Sequence, residues 1–329
     1  MQALHSKAQS AGVLLLNEIG LDPGLDHLTA MKMIREAHQQ KWKVESFVSW
    51  CGGLPAPEDS NNILGYKFSW SPRGVLLAAQ NSARYLRDGQ IVEIEGNDLL
   101  LSAQRVTEIA PGFAFEGLPN RDALKYQKLY GLEEDGCKTV LRGTLRYVGF
   151  SELLEQFRRL GLMDQTPVEA GDWLSFLKHR NGLQEITTQS LMHHLNLTLF
   201  AAKKLFDALN WLQLLNHQHR LSATTPFDSF SDLIQQKLTY GPKERDLVLL
   251  HHDFLFKDPN GCFHRRTATI CEYGQIGGYS AMARTVGFPV AIAAKMILKG
   301  VFKATGVQAP IDEEFSKILS EMQQFITIK

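Results

Sequence analysis

Asp22, Cys51, Ser71, Arg121, Arg142 and Arg146 are the side chains whose type and setting could do chemistry. Asp22 stands in the turn NEIGLDPGLDH, between a short apolar run and an apolar-periodic stretch. It can cap the helix that follows, a role worth about 1 kcal/mol. It can equally bond a ligand amine or relay a proton at a strand's carboxyl end. The two roles are compatible, because a helix N-terminus also offers free N–H groups to an anion. Cys51 precedes Gly52 and Gly53. A free cysteine commonly serves as a small buried hydrophobe, while flanking glycines let a ligand approach the backbone. Ser71, just before Pro72, fits a helix cap that could hold a phosphate or a ribose hydroxyl.

Arg142 and Arg146 are an even number of residues apart in LRGTLRY, so a regular strand turns both to one face. With Arg121, which follows EGLPN, they form a set that can clamp carboxylates, because a planar guanidinium matches a carboxylate with two parallel donors. The alternative is a set of solvated or ion-paired arginines. Adjacent side chains point apart, so neither His193-His194 nor His251-His252 makes a metal site by itself. Cys51, Cys137, Cys262 and Cys271 form no C-x-x-C pair, which argues against a cysteine-bound metal and a disulfide scaffold and fits a reducing compartment. H-E-x-x-H, G-x-S-x-G, the P-loop and G-x-G-x-x-G are all missing; Gly274, Gly277 and Gly278 have the wrong spacing.

These residues must be positioned by strands and helices whose periods are visible. A helix over 1–11 leads into a buried strand at 13–17, then a Gly/Asp/Pro turn and a helix carrying Leu28, Met31, Ile34 and Ala37. This order reads as one unit of an open α/β sheet, in which ligands bind at strand carboxyl ends. Residues 43–50 alternate as a half-buried strand, and about 24 residues of loop follow. Further strands are expected at 90–94, 139–148, 247–256 and 262–273, the last two joined through Asn260-Gly261 as a hairpin. A second, mixed or antiparallel sheet follows from these. From about 152 to 238 the pattern is helical. Two short helices split by Asn196-Leu197-Thr198 look like a helix-turn-helix, yet only Lys203 and Lys204 stand there against Asp207. A long apolar helix near the end is expected to restart at Pro289 and to stop at Gly300.

The chain has 329 residues, enough for about two domains at ~150 residues each. Hydrophobic residues make up 44% and charged residues 21%, which excludes a mostly disordered chain and a coiled coil. Lys plus Arg equals Asp plus Glu at 35, so no basic excess favours a nucleic-acid partner. The longest apolar run, 288–298, is broken by Lys295 and falls short of the ~20 residues of a membrane span. No nucleic acid and no membrane are therefore expected as partners, and the amino terminus shows no targeting segment.

NEIGLDPGLDH, CGGLPAPEDSNNILGYKFSWSPRG, EGLPNRDALKY, LRGTLRY and GGYSAMARTVGFPVAIAAKMIL together resemble the saccharopine dehydrogenase family, in its glutamate-forming branch. The same enzyme forms part of bifunctional aminoadipic semialdehyde synthases. The resemblance runs through the chain and is densest from 17 to 150. It implies NAD(P)-dependent interconversion of saccharopine with L-glutamate and aminoadipate semialdehyde in lysine metabolism, with NADP or NAD as cofactor. Residue by residue, it implies that Leu21, Asp22 and Pro23 lie between cofactor and saccharopine and that Cys51 stands near the reacting centre. It further implies that Ser71 contacts the cofactor, and that Arg121, Arg142, Gly143 and Thr144 hold the substrate carboxylates. Asp22 and Cys51 are the catalytic candidates, and the acid/base is left open between them and a water.

The resemblance also implies the fold. It is an α/β chain with a Rossmann-type remnant (1–25 and 280–329), a mixed or antiparallel α+β substrate domain (26–151 and 243–279) and an all-helical insertion (152–242). A homodimer in the cytoplasm is expected, or in mitochondria for an animal-type bifunctional enzyme. Family members begin with a glycine-rich dinucleotide-binding half, of which roughly a hundred residues, by typical domain size, are not matched here. The competing expectation is a cofactor-deficient fragment that binds a dicarboxylic amino acid or serves as a partner subunit. On this comparison the chain alone binds NAD(P)H poorly; a cofactor titration checks this, and sub-millimolar binding would refute it.

Overall fold

The computed structural model describes residues 1–110 and 112–329. In chain order these form α1 (His5–Ser10), β1 (Leu14–Leu16), α2 (Leu25–Gln39), β2 (Lys43–Pro55), α3 (Pro72–Ala78), β3 (Ala83–Arg87) and β4 (Gln90–Ile94). Next come β5 (Gln104–Val106), β6 (Phe115–Pro119), α4 (Lys125–Leu129), α5 (Leu132–Asp135) and β7 (Thr139–Tyr147). A run of helices follows: α6 (Phe150–Arg159), α7 (Trp173–Asn181), α8 (Thr188–Leu195), α9 (Leu199–Trp211) and α10 (Pro226–Lys237). The chain ends with β8 (Asp246–Lys257), β9 (Phe263–Tyr273), α11 (Ala281–Leu298), β10 (Gly306–Gln308) and α12 (Ser316–Met322).

One sheet of eight strands dominates, in the order β4-β3-β7-β2-β8-β9, with β6 also on β7 and β5 on β6. Among the described residues of this sheet only the β2–β7 pair is parallel; β2–β8 and β8–β9 are long antiparallel ladders. The loop expected after residue 50 is shorter than its composition implied. Cys51–Pro55 stay in β2 because β8 pairs with them through Asp246. Inter-strand hydrogen bonding here overrides the local turn preference of glycine and proline.

The period of two divides this sheet into two working faces. Leu141, Leu145, Trp50, Leu54, Leu247 and Leu249 join the core formed by α6–α10. On the other face, Phe47, Val140, Phe254 and Phe256 pack under α2, and Val248 and Leu250 lie beneath α11 and α12. Gly143 allows Trp50 to lie flat on the helical side, where an added Cβ would come within 2.1 Å of the indole. The α8–α9 pair is a packing unit: Leu191, Leu195, Leu205 and Leu209 are buried, and Thr198 caps α9. Its exposed first turn presents Leu199 and Phe200, and Lys203 is paired with Asp207.

A separate two-stranded parallel sheet joins β1 to β10 (Leu14 with Gly306, Leu16 with Gln308), bringing the two ends of the chain together. Pro289 does not restart α11. The helix runs through it because Ala281, Thr285, Pro289 and Ala293, four residues apart, form the buried stripe. Asp246 accepts from the Ala281 and Met282 N–H groups at 2.6 and 2.8 Å and anchors the start. Gly300, at φ 63°, ends the helix, with Val301 N–H bonded back to Met296. At 18 residues α11 is also long and apolar enough to cross a membrane by length and composition, which the uncharged-run criterion missed. Here one face packs inward, while Val286, Val290 and Leu298 are exposed.

His252 ties the sheet to α2. Its Nε2–H donates to the Asp26 carbonyl (3.1 Å) and lies 2.8 Å from Thr29 Oγ1, whose own proton goes to the Leu25 carbonyl. Its Nδ1 is buried without a partner among the described residues. Burial pushes the imidazole pKa down to about 4. The unfolded chain therefore takes up a proton near the ordinary value of 6.5 that the fold accepts only near 4, so acid favours unfolding within that window. Denaturant titrations at several pH values should show wild type losing stability relative to His252→Gln as pH falls from about 6.5 to 4. A pH-independent difference rejects the assignment.

Candidate functional site

The turn between β1 and α2 is closed by its own backbone. Gly20 N–H donates to the Pro23 carbonyl, Leu25 N–H to Gly20 and Asp26 N–H to Leu21, at 3.0, 2.9 and 3.1 Å. Gly24, at φ 150°, has no substitute, because a Cβ there would lie 2.0 Å from the Gly20 carbonyl oxygen. Asp22 is therefore not the cap of α2. Gly24 holds the N-cap position, and its N–H donates to the Asp26 carboxylate. The Asp22 side chain is freed to turn inward, where it is 20% exposed, while the Asp22 and Pro23 residues present an open surface.

Under this turn lies one row of the sheet. Ser49 pairs with Arg142 on β7 and with His252 on β8, and the next inward-facing row is Thr144, Cys51 and Leu250. From that row the Arg142 guanidinium bonds both the Asp22 and Asp26 carboxylates. Its flat face covers the Tyr126 ring at 4.0 Å. Behind Asp26, His27 is fully buried, with its Nε2–H donating to Glu18 and its Nδ1 accepting from the Tyr130 hydroxyl, both at 2.7 Å.

One cation between two enclosed carboxylates separates their proton affinities. Burial raises the Asp22 pKa; Arg142 opposes this and Asp26 adds to it. Burial also acts on Asp26, but the Arg142 charge and the Gly24 N–H outweigh it and hold the carboxyl below its ordinary value. Asp26 is thus the standing counter-ion and Asp22 the group able to gain and lose a proton. Burial, together with the nearby Asp22 and Asp26 carboxylates, pushes the Cys51 pKa up and keeps it a thiol.

Asp22, Cys51, Arg142 and Thr144 therefore belong to one neighbourhood, with the Leu21 and Pro23 backbone at its rim. The expected convergence of three guanidinium groups is not found. Arg146 continues the alternation of Arg142, but its guanidinium lies over Tyr66 (4.9 Å) and Phe150 (5.4 Å) and bonds the Leu145 carbonyl. Arg121 is exposed, at φ 52°, just past β6, where Asn120 N–H donates to the Arg142 carbonyl. Its carbonyl accepts from Arg84 N–H on β3 at 2.9 Å, and its guanidinium makes no ion pair among the described residues. The open side of Gly143 faces Trp50, away from Asp22. Ser71 caps α3 through Gly74 N–H. Asp26, Ser49, Tyr126 and Tyr130 were not singled out from the sequence, and His252 was weighed only with His251 as a metal ligand. For Asp26 a signal existed, since it lies four residues after Asp22 across Pro-Gly; Ser49 and His252 are brought there by strand register, and Tyr126 and Tyr130 by the packing of α4.

Comparison with known proteins agrees with this fold. The family model described as the saccharopine dehydrogenase C-terminal domain matches residues 20–328. The Saccharomyces cerevisiae protein named saccharopine dehydrogenase (NADP(+), L-glutamate-forming) is 39% identical over 333 residues, spanning 98% of this chain and 74% of the relative. The mitochondrial alpha-aminoadipic semialdehyde synthase of Mus musculus is 38% identical over 95% of this chain, which corresponds to 35% of that longer protein. The solved structure of apo saccharopine dehydrogenase (L-Glu forming) from Saccharomyces cerevisiae superposes with a TM-score of 0.90 at 38% identity, covering 99% of this chain and 76% of that one. The chain belongs to the saccharopine dehydrogenase family of oxidoreductases.

Proposed function

We propose that this chain carries the substrate-binding and proton-handling part of an L-glutamate-forming saccharopine dehydrogenase of lysine metabolism, working with NADP. The observation that carries the reading is Arg142 shared between Asp22 and Asp26 beside Cys51, at the carboxyl-end turn of a parallel strand. The choice of NADP over NAD follows the names of the yeast relatives.

The residues fit the reactive end of a nicotinamide cofactor. The Asp22–Pro23 surface is open at the strand tip, with the carboxyl turned inward. Leu21, Asp22 and Pro23 would hold the nicotinamide end, and Ser71 another part of the cofactor. When bound, the cofactor supplies a hydride acceptor. The chain's own groups do the rest. Arg142 and Thr144, with Arg121 and the Gly143 backbone, bind carboxylates of saccharopine, a secondary amine bearing three of them. Asp22, ionised, takes a proton from the secondary ammonium, so that hydride can leave the adjacent carbon of the lysine-derived arm and give an iminium. Water adds to that carbon and loses a proton. Asp22 returns its proton to the nitrogen; as the C–N bond breaks, the hydroxyl proton passes by way of Asp22 to the departing amine, and glutamate, as its ammonium form, and aminoadipate semialdehyde separate. The net balance releases one proton. Cys51, as a thiol, donates a hydrogen bond beside the reacting carbon and orients Asp22.

Saccharopine-dependent reduction of NADP+, followed by nicotinamide absorbance with the full chain and with an upstream-extended form, tests the reading. Glutamate and the semialdehyde should form in equal amounts; no turnover in the extended form rejects it. Arg142→Ala should also remove activity and destabilise the fold by about 3–5 kcal/mol, because two enclosed carboxylates lose their only shared cation. Urea midpoints check this, and Arg142→Lys should recover part of the stability but not the two-carboxylate bridge.

A further inference from the structure

The Glu18–His27–Tyr130 chain lies outside the groups given roles above. Glu18 follows β1 with φ 55°, a left-handed conformation that a glutamate rarely adopts. That bend turns its carboxylate back onto His27 Nε2–H at 2.7 Å. The imidazole is completely buried, with both ring nitrogens bonded, and its other partner is the buried Tyr130 hydroxyl. His27 follows Asp26 in the first turn of α2. Tyr130 packs 5.3 Å from Tyr126, the ring that supports Arg142. The chain thus links three separate pieces: the β1 tip, the first turn of α2 and the α4 segment beneath the guanidinium. A buried histidine could be satisfied by backbone carbonyls. Here it is held by one side chain from each flanking piece, at the cost of an unfavourable φ at Glu18.

We propose that Glu18, His27 and Tyr130 are positioning residues that clamp Asp26 and Arg142 in register, and so set the environment of Asp22 and Cys51. Their role in turnover rests on the saccharopine-oxidising reading above; the clamp itself does not. When it opens, the first turn of α2 and the Tyr126 platform separate, water reaches the cluster, and Asp22 and Cys51 lose the enclosure that holds their protons.

Cys51 reports this without substrate or cofactor. In the full chain, its alkylation by a small haloacetamide can be followed by peptide mass spectrometry across pH, with Asp22, Asp26 and Arg142 as the charged groups that face it. Glu18→Ala and Tyr130→Phe should each speed Cys51 alkylation at neutral pH by about tenfold or more, equivalent to a midpoint lowered by one pH unit. The double variant should go no further than the larger single one, because both break the same chain. Glu18→Gln, which keeps an acceptor for the Nε2–H, should restore the wild-type profile. A purely structural role predicts lower melting temperatures with an unchanged Cys51 profile, and that result overturns the proposal. Additive effects of the two single variants, or no rescue by Glu18→Gln, overturn it as well. A chain that passes this test but never oxidises saccharopine would overturn the proposed function and leave the clamp standing.

Discussion

A single guanidinium shared between two enclosed carboxylates organises this molecule. Arg142 is 9% exposed, and its partners Asp22 and Asp26 come from one turn and the helix start that follows it. An ion pair removed from water is costly unless its geometry is tight and its remaining groups are bonded. The fold meets that condition by bonding each member of the trio while leaving Asp22 partly open. Tyr126 covers the cation, Gly24 N–H donates to Asp26, and Cys51 lies against Asp22. Because two carboxylates compete for one cation, they are inequivalent: one remains a counter-ion and the other can exchange a proton. Two similar side chains thereby acquire different chemistry from their surroundings alone.

The sheet makes this arrangement possible by keeping its two faces distinct. β7, β2 and β8 alternate in step, so Arg142, Ser49 and His252 form one row on the α2 side, while Leu141, Trp50 and Leu249 anchor the helical layer on the other. A shift of one residue in the β2–β7 ladder would send Arg142 into the apolar layer and Leu141 beneath Asp26. The long β2–β8 ladder and the Trp50 indole seated on Gly143 resist such a slip. The helical insertion serves the site from a distance: it covers the far face and supplies no group to the Asp22 neighbourhood.

The α2 side is the less apolar of the two cores. His27, Thr29 and His252 are buried there and connected to Asp26 or its neighbours through side-chain and carbonyl bonds. Such networks rigidify a site when every member is satisfied and weaken it when one is not. The Nδ1 of His252, without a partner among the described residues, is the exception, and burial keeps that imidazole neutral beside an already charged cluster.

Much of this was legible in the chain itself. Apolar runs bounded by glycine and proline located β1 and β7, and Asn260-Gly261 located the β8–β9 hairpin, because these signals are local and reflect the backbone preferences of a few residues. The turn holding Asp22, the cysteine beside two glycines and the arginine-bearing strand were likewise visible as residue types in order. What stayed hidden depended on partners far away in sequence. Cys51–Pro55 became strand because β8 pairs with it, and Pro289 stayed helical because its ring lies in a packed stripe. Arg146 left the expected clamp because Tyr66 and Phe150 offered it flat rings. The choice of Asp26 rather than Asp22 as counter-ion depends on where one guanidinium stands relative to both. Composition and period specify which groups are available and which way a strand turns them; distance, enclosure and shared charge exist only once the register between strands is formed.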